Sequence, residues 1–196
     1  INVIIREITM TQHSGSKPTG AGKSSFGLID TATFFLELDL KKGITFLDVA
    51  CGWGTYSLAV AEMIGNSGQV YAVDLWEEGI VNLREEAASK EIQNIKAFVS
   101  DVAQHIPVED DCVDVCLMAT VLHDLVADRV DQPALKEIVR VMKKEGTLSI
   151  VEFLKKEGPP GPPKPVRLSP EEVDQMLAVH GFQQKRCAEI GPDNYL

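Results

Sequence analysis

Three acidic residues stand at the ends of three successive predicted strands, and two glycines follow the first of them. The acids are Asp48, Asp74 and Asp101, and the glycines are Gly52 and Gly54. Glycine lets the backbone pass close to a ligand because it carries no side chain. A carboxylate at the end of the second strand can accept the protons of both ribose hydroxyls. The pattern therefore predicts a binding site for a nucleoside-containing molecule.

Short β-type runs alternate with helical patterns, and this alternation must position the acids and glycines. The predicted strands cover residues 44–50, 69–74, 95–100, 112–119, 146–153 and 182–190. The predicted helices cover residues 55–64, 77–90, 133–142 and 170–180. Alternation of this kind predicts an α/β fold: a doubly wound, mostly parallel sheet with helices on both faces. Ligands of such sheets bind at the carboxyl ends of the strands, near the topological switch point.

Composition and charge limit the classes of partner. The 196 residues are 44% hydrophobic, which suits one domain with a full core. The formal net charge is -10. Nucleic acids and anionic membrane surfaces are bound through clustered Lys and Arg, so this charge disfavours both. We therefore expect a small-molecule partner, no nucleic acid and no membrane.

Cysteine usage and hydropathy bear on the compartment. None of the four cysteines forms a C-x-x-C pair, and free thiols fit a reducing environment. No apolar run approaches the roughly 20 residues that a membrane helix needs. The apolar start has no signal-peptide architecture. The expected location is cytoplasmic.

The segment 46–55, FLDVACGWGT, carries a family resemblance. It resembles the first motif of class I S-adenosylmethionine (SAM)-dependent methyltransferases, D/E-x-G-x-G-x-G after a hydrophobic strand. Here the motif is D-x-A-x-G-x-G, with Ala50 in place of the first glycine. The segment 114–124, DVCLMATVLHD, continues the resemblance. Its Leu122-His123 pair is similar to that of the ubiquinone/menaquinone-biosynthesis C-methyltransferases.

The resemblance covers roughly residues 44–190 and implies a Rossmann-like sheet of six to seven strands. It implies SAM as cofactor, S-adenosylhomocysteine as product and no metal. Asp101 and the Val102 backbone would contact the adenine, and Asp48 would lie near the ammonium and sulfonium groups. The implied cofactor-binding residues are Asp48, Ala50, Cys51, Gly52, Gly54, Tyr56, Asp74, Leu75, Trp76, Asp101, Val102, Ala119 and Thr120.

Three residues are candidates for a role at the methyl acceptor or beside it. Methyl transfer is an in-line displacement that needs alignment and exclusion of water, and needs a base only when the acceptor arrives protonated. His123 is the candidate base because its usual pKa lies near neutrality; the alternative is a structural histidine. Lys23 folds over the cofactor, holds an acidic substrate, or is a solvated loop lysine. Arg167 either binds a substrate carboxylate or is a surface arginine.

Two other functions use the same loop. A nicotinamide-dependent (NAD) reductase would need G-x-G-x-x-G, but its third glycine position holds Ser57, and no Tyr-x-x-x-Lys is present. A non-catalytic SAM-binding protein would keep the same cofactor residues. A nucleotide triphosphatase is disfavoured because the G-x-x-x-x-G-K-S pattern that would end at Ser24 has Lys17 as its first residue.

The predicted organisation has two parts. Residues 1–43 form an N-terminal segment that acts as a cofactor or substrate lid, and residues 44–196 form the SAM-binding methyltransferase domain. The resemblance implies a seventh, antiparallel strand after 182–190, but only residues 191–196 follow, so the last strand is expected to be short or missing. The β-prone run 1–8 is then a hypothesis for covering an exposed edge, in this chain or in a homodimer.

Overall fold

The structure is a computed structural model that describes Gly20 and residues 22–196. Its six strands are β1 (Thr45–Val49), β2 (Gln69–Asp74), β3 (Ile95–Val99), β4 (Val113–Ala119), β5 (Met142–Phe153) and β6 (Asn194–Tyr195). Its six α-helices are α1 (Thr31–Leu38), α2 (Thr55–Ile64), α3 (Glu77–Ser89), α4 (Leu122–Ala127), α5 (Asp131–Val141) and α6 (Pro170–Ala178). Short 3-10 turns lie at Phe26–Leu28 and Lys164–Val166.

The strands form one sheet in the order β3-β2-β1-β4-β5-β6. The first five are parallel, and β6 runs antiparallel to β5. Chain order reverses direction between β1 and β4, so the topological switch point lies where these two strands end. The predicted Rossmann-like, mostly parallel sheet with a short last strand is confirmed.

Alternating side chains of the strands face two layers of helices. Leu47 and Val49 pack in a buried cluster with residues of α4, α5 and α6. Phe46 packs on the opposite face with residues of α1 and α2. Ile80 and Leu83 of α3 cover the outer strands β2 and β3. Helices therefore lie on both faces, as the alternation predicts.

Local capping sets the start of α6. The Ser169 hydroxyl accepts a hydrogen bond from the Glu172 backbone N–H at 3.3 Å, and the Glu172 carboxylate accepts one from the Ser169 N–H at 2.7 Å. These two bonds form a capping box, and Pro170 occupies the first helical position. Among the described residues, no helix has the length and apolar character needed to cross a membrane.

The predicted strand 182–190 is wrong. Within it only Glu189 forms an isolated bridge, to Tyr195. The strand that pairs with β5 is β6, and it does so only at Glu152 and Phe153. Residues 182–187 have no ladder partner in the described chain, and an extended segment without one is not a strand. The edge proposed for residues 1–8 lies outside the described residues.

Candidate functional site

The loop between β1 and α2 turns sharply at the switch point. Ala50, Gly52 and Gly54 all have left-handed backbone, with φ of +56°, +55° and +75°. The loop is pinned to the neighbouring strand because the Cys51 N–H donates to the Val73 carbonyl at 3.1 Å. Ala50 thus has the conformation that glycine favours, which explains why the first position of the motif is usually glycine.

The two glycines of this loop serve different purposes. A Cβ on Gly54 would lie 2.6 Å from Cδ2 of the buried Leu83, so packing of α3 requires glycine there. A Cβ on Gly52 would find the Lys23 carbonyl oxygen as its nearest neighbour, at 3.9 Å. That distance is an ordinary van der Waals contact without a clash. Packing within the protein therefore does not require glycine at residue 52, whereas it does at residue 54.

Asp48 lies below the loop and is 1% exposed. It accepts a hydrogen bond of 2.6 Å from the Ser57 hydroxyl in the first turn of α2. Burial raises the pKa of the Asp48 carboxyl to about 7, and the nearby Asp74 charge adds to this while the Ser57 bond opposes it. A cation placed here would favour the ionised form.

A small cleft of about 20 Å³ opens between the loop, the end of β4 and the segment before the first 3-10 turn. Ser25 lines the cleft and joins two of its sides, because its Oγ lies 2.9 Å from the Tyr56 hydroxyl and 3.3 Å from Oγ1 of Thr120. The cleft brings together seven of the predicted residues and two serines. Its lining is Lys23, Ser24, Ser25, Asp48, Ala50, Cys51, Tyr56, Ala119 and Thr120.

Asp74 joins the loop to the end of β2. One carboxylate oxygen accepts the Gly52 N–H at 2.7 Å, and the other accepts the Trp76 N–H at 2.7 Å. Burial raises the pKa of Asp74 above its usual value, although these backbone donors oppose the shift. Each oxygen has a second lone pair, so the carboxylate keeps capacity for further donors.

Two tryptophans form one wall beside Asp74. The rings of Trp53 and Trp76 meet edge to face, with centroids 4.3 Å apart. The Trp53 indole N–H donates to the Gly22 carbonyl at 3.1 Å and so ties the wall to the segment that carries Lys23. Trp76 is buried, whereas Leu75 is 57% exposed. Trp53 was not selected from the sequence.

Asp101 and Val102 lie beyond the end of β3. The Asp101 carboxylate accepts the Ala103 N–H at 2.9 Å and the Gln104 side-chain amide at 2.7 Å. The Val102 side chain is buried in the cluster below the sheet. Both residues therefore stand at the carboxyl edge of the sheet, but among the described residues no side-chain hydrogen bond links them to Asp74.

His123 lies outside the cleft, at the start of α4. Glu152, fully buried at the end of β5, accepts the His123 backbone N–H at 3.1 Å. The same carboxylate lies 2.7 Å from Nδ1 of the imidazole. Nε2 lies 3.6 Å from Asp124. Burial by itself would lower the pKa of His123, but the hydrogen bond and charge of Glu152, with that of Asp124, raise it above the usual value.

Arg167 is neither a surface residue nor free to bind a carboxylate, so both interpretations of it are wrong. It is 1% exposed, and its guanidinium donates to the carbonyls of Leu154, Gly158, Pro160 and Pro162. These bonds fold the Gly-Pro segment around the arginine. No local pattern signals this role because every acceptor is a backbone carbonyl.

Four polar contacts of the site come from residues that the sequence did not single out. They are Ser25, Trp53, Ser57 and Glu152. Only Ser57 carries a usable signal, since a residue three positions after Gly54 in a helix start faces the preceding strand. Within residues 22–196, no group of three or more His, Cys, Asp or Glu is arranged to hold a metal ion.

A family comparison decides the interpretation of this site. The model of a family described as a methyltransferase domain matches residues 40–188. The chain belongs to this methyltransferase-domain family. The matched range runs from just before β1 to the segment that precedes β6. It therefore contains the loop after β1, the acids Asp48, Asp74 and Asp101, and the Leu122-His123 pair.

Two curated proteins are similar to part of the chain. The chain is 31% identical over 120 residues to a demethylmenaquinone methyltransferase of Lactobacillus johnsonii, covering 61% of this chain and 48% of that protein. It is 32% identical over 116 residues to one of Staphylococcus aureus, covering 59% and 46%. The chain thus spans about half the length of these relatives.

Solved structures agree on the fold. A SAM-dependent methyltransferase from Aquifex aeolicus is similar with a TM-score of 0.79 and 31% identity, covering 90% of this chain and 92% of that one. The [4+2]-cyclase SpnF is similar with a TM-score of 0.67 and 23% identity, covering 82% and 58%. The second likeness shows the fold alone, because one fold hosts several chemistries.

Proposed function

We propose that this protein is a SAM-dependent methyltransferase that acts on a small molecule. The observation that carries the proposal is Asp74 at the end of β2, bonded to the Gly52 N–H of the loop that follows β1. This contact places a carboxylate beside a glycine backbone that other atoms of the protein do not crowd. A ribose needs an acceptor pair at this place, and the family relationship supports SAM as the molecule that carries it.

The residues present fit SAM. Asp74 would accept the ribose hydroxyls, while Trp76 and Leu75 offer an apolar wall for adenine, with Asp101 and Val102 at its edge. Asp48, buried and acidic, would face the cationic end. When bound, SAM supplies an activated methyl group on a sulfonium centre.

The acceptor would lie beside the small cleft. The chain would align the acceptor near Thr120 and Lys23, and residues 22–25, which are held against Trp53 and Tyr56, would exclude water. His123 would act as a base on the adjoining side of β4. The net charge of -10 supports a small acceptor instead of a nucleic acid. We also propose that the protein is cytoplasmic and forms a homodimer.

Isothermal calorimetry with SAM, S-adenosylhomocysteine, NADH and ATP tests the cofactor. We expect the two adenosyl ligands to bind with micromolar affinity, about -8 kcal/mol, and the other two not to bind measurably. Incubation with SAM and a panel of a naphthohydroquinone, a catechol, a secondary amine and an alkyl thiol then tests transfer. Tight NADH binding without SAM binding would replace the proposal with a reductase. SAM binding without any transfer would favour a non-catalytic SAM-binding protein.

The buried Asp48 predicts that SAM binding depends on pH. Its raised pKa of about 7 means that near neutrality much of the carboxyl is protonated in the free protein. A cationic ligand stabilises the carboxylate, so binding releases a proton and affinity rises as pH increases from 6 to 8. Calorimetry in buffers of different ionisation enthalpy measures the released proton. Asp48→Asn is expected to abolish this release, and an unchanged release in that variant would contradict the assignment.

A further inference from the structure

Residues 22–25, here called the strap, line one side of the small cleft and are joined to its other sides by hydroxyl groups. The Ser25 Oγ lies 2.9 Å from the Tyr56 hydroxyl, and it accepts a hydrogen bond of 3.3 Å from Oγ1 of Thr120. Ser25 is 3% exposed, whereas the other three residues of the strap are half-buried or exposed. The strap therefore buries little apolar surface, and hydrogen bonds hold it against the cleft.

The two ends of the strap are attached in different ways. Just after it, the ring of Phe26 meets the rings of Tyr56 and Phe35 edge to face, with centroids 5.0 Å and 6.3 Å apart. At its start, the Gly22 carbonyl accepts the Trp53 indole N–H at 3.1 Å. Packing thus anchors the end at Phe26, and the strap can turn about that residue when its hydrogen bonds open.

The cleft beside the strap is too small for the amino-acid end of SAM. Its volume is about 20 Å³, and roughly 10–15 Å³ already corresponds to one water molecule. The amino-acid group, with its carboxylate, ammonium and carbon chain, is several times larger than water. The buried Asp48, which is proposed to face this group, lines the same cleft. The amino-acid end therefore reaches Asp48 only when the strap moves outward.

We propose that Ser25 is a positioning residue that closes the strap over the amino-acid end of the cofactor. SAM and S-adenosylhomocysteine then enter and leave only when the hydroxyl bonds of Ser25 open. This inference rests on the proposed methyltransferase function and specifies how that site exchanges its cofactor.

The three hydroxyl groups around Ser25 leave one donor unused. Thr120 donates to Ser25, and one further proton lies between Ser25 and Tyr56, so one of the three O–H groups has no acceptor among the described residues. Burial raises the pKa of the Tyr56 hydroxyl, which therefore keeps its proton. Lys23 lines the same cleft and adds positive charge. A carboxylate bound here would accept from the unused donor and hold the strap closed.

The test measures how fast two ligands leave the protein. S-adenosylhomocysteine carries the amino-acid group, whereas 5′-methylthioadenosine has the adenosine and the thioether without it. Stopped-flow fluorescence follows dissociation, because the two tryptophans of the chain, Trp53 and Trp76, form the wall beside the loop. The wild type is compared with Ser25→Ala, with Tyr56→Phe and with the double variant.

Thr147→Ala is the matched control. Thr147 Oγ1 accepts a hydrogen bond of 3.3 Å from Nζ of Lys185, so this hydroxyl also joins distant segments. Neither of these two residues lines the cleft. Thr147→Ala should leave the dissociation rates of both ligands unchanged.

Ser25→Ala should raise the dissociation rate of S-adenosylhomocysteine by about tenfold, because it removes two hydrogen bonds of the strap. Tyr56→Phe removes one of them and should raise that rate by about threefold. The double variant should raise it by less than the product of the two single effects, since both changes break the same bond. The rate for 5′-methylthioadenosine should stay within about twofold of the wild type in all variants.

Two results would overturn the inference for Ser25→Ala: unchanged dissociation of S-adenosylhomocysteine, or equal acceleration of both ligands, which would indicate a general loosening of the site. Single effects that multiply in the double variant would also overturn it. Should Ser25→Ala not fold, the two ligands compared on Tyr56→Phe still decide. A wild type that binds neither ligand would instead contradict the proposed function together with this inference.

Discussion

Replacing Gly54 with alanine is expected to lower the free energy of unfolding by about 3 kcal/mol. The new methyl group would lie 2.6 Å from Cδ2 of Leu83, a fully buried residue of α3. It would also impose a side chain on backbone with φ of +75°. Chemical denaturation measured by circular dichroism would give the change.

A matched variant separates the two causes. Gly52→Ala places alanine at a similar φ of +55°, but with no atom nearer than 3.9 Å to the new methyl group. It should cost only about 1 kcal/mol in stability, while obstructing SAM. Combining Gly54→Ala with Leu83→Ala should lower the free energy of unfolding by less than the sum of the two single changes. Leu83→Ala removes the side chain that clashes with the new methyl group, and that methyl group fills part of the cavity that Leu83→Ala leaves. Strict additivity would show that packing against Leu83 is not the cause.

Replacing Asp74 with alanine is expected to weaken binding of SAM and of S-adenosylhomocysteine by about 100-fold or more, since each hydrogen bond to a charged group is worth about 1.5–3 kcal/mol. The change would remove the acceptor for the ribose hydroxyls. It would also leave the N–H groups of Gly52 and Trp76 without the carboxylate that now holds both. Calorimetry at a fixed pH measures the loss.

Asp101→Ala is the comparison for this prediction. Asp101 also stands after a strand, but it holds only Ala103 and Gln104 of its own turn. Asp101→Ala is expected to weaken SAM binding by about tenfold, because a single hydrogen bond contributes about 1.4 kcal/mol. Equal effects of the two changes would contradict the assignment of the ribose to Asp74.

The sheet and the loop were predictable because their signals are local. Buried parallel strands appear as short apolar runs, and the glycines and Asp48 lie within seven residues of one another. The apolar residues of α5 recur at helical spacing, and the capping box of α6 lies within one helical turn. Each such signal can be recognised without knowing which elements pack together.

The missed features depend on contacts between distant segments. The six residues of α4 are too few for a periodic pattern, and its start is held by Glu152, 29 residues further along. Arg167 has the sequence of a surface residue, yet loop carbonyls surround it. Residues 182–190 were predicted as a strand, but only their last part pairs with residues 194–196. In each case the conformation depends on contacts with residues distant in sequence and not on the local sequence.

The backbone at the switch point has a consequence for evolution and engineering. Ala50 and Thr120 end adjacent strands, and both have left-handed backbone, with φ of +56° and +54°. Each such residue costs about 1–3 kcal/mol and persists because its surroundings impose it. Here the Cys51 N–H is held by Val73 and the Thr120 N–H by Val151.

Strain at both strand ends lowers stability at the edge where we propose that the cofactor binds. Mutations selected only for thermal resistance are therefore expected to include glycine at residues 50 and 120. They would relax the surface that faces the proposed cofactor. The most stable version of this chain and the most active one should differ first at these two positions.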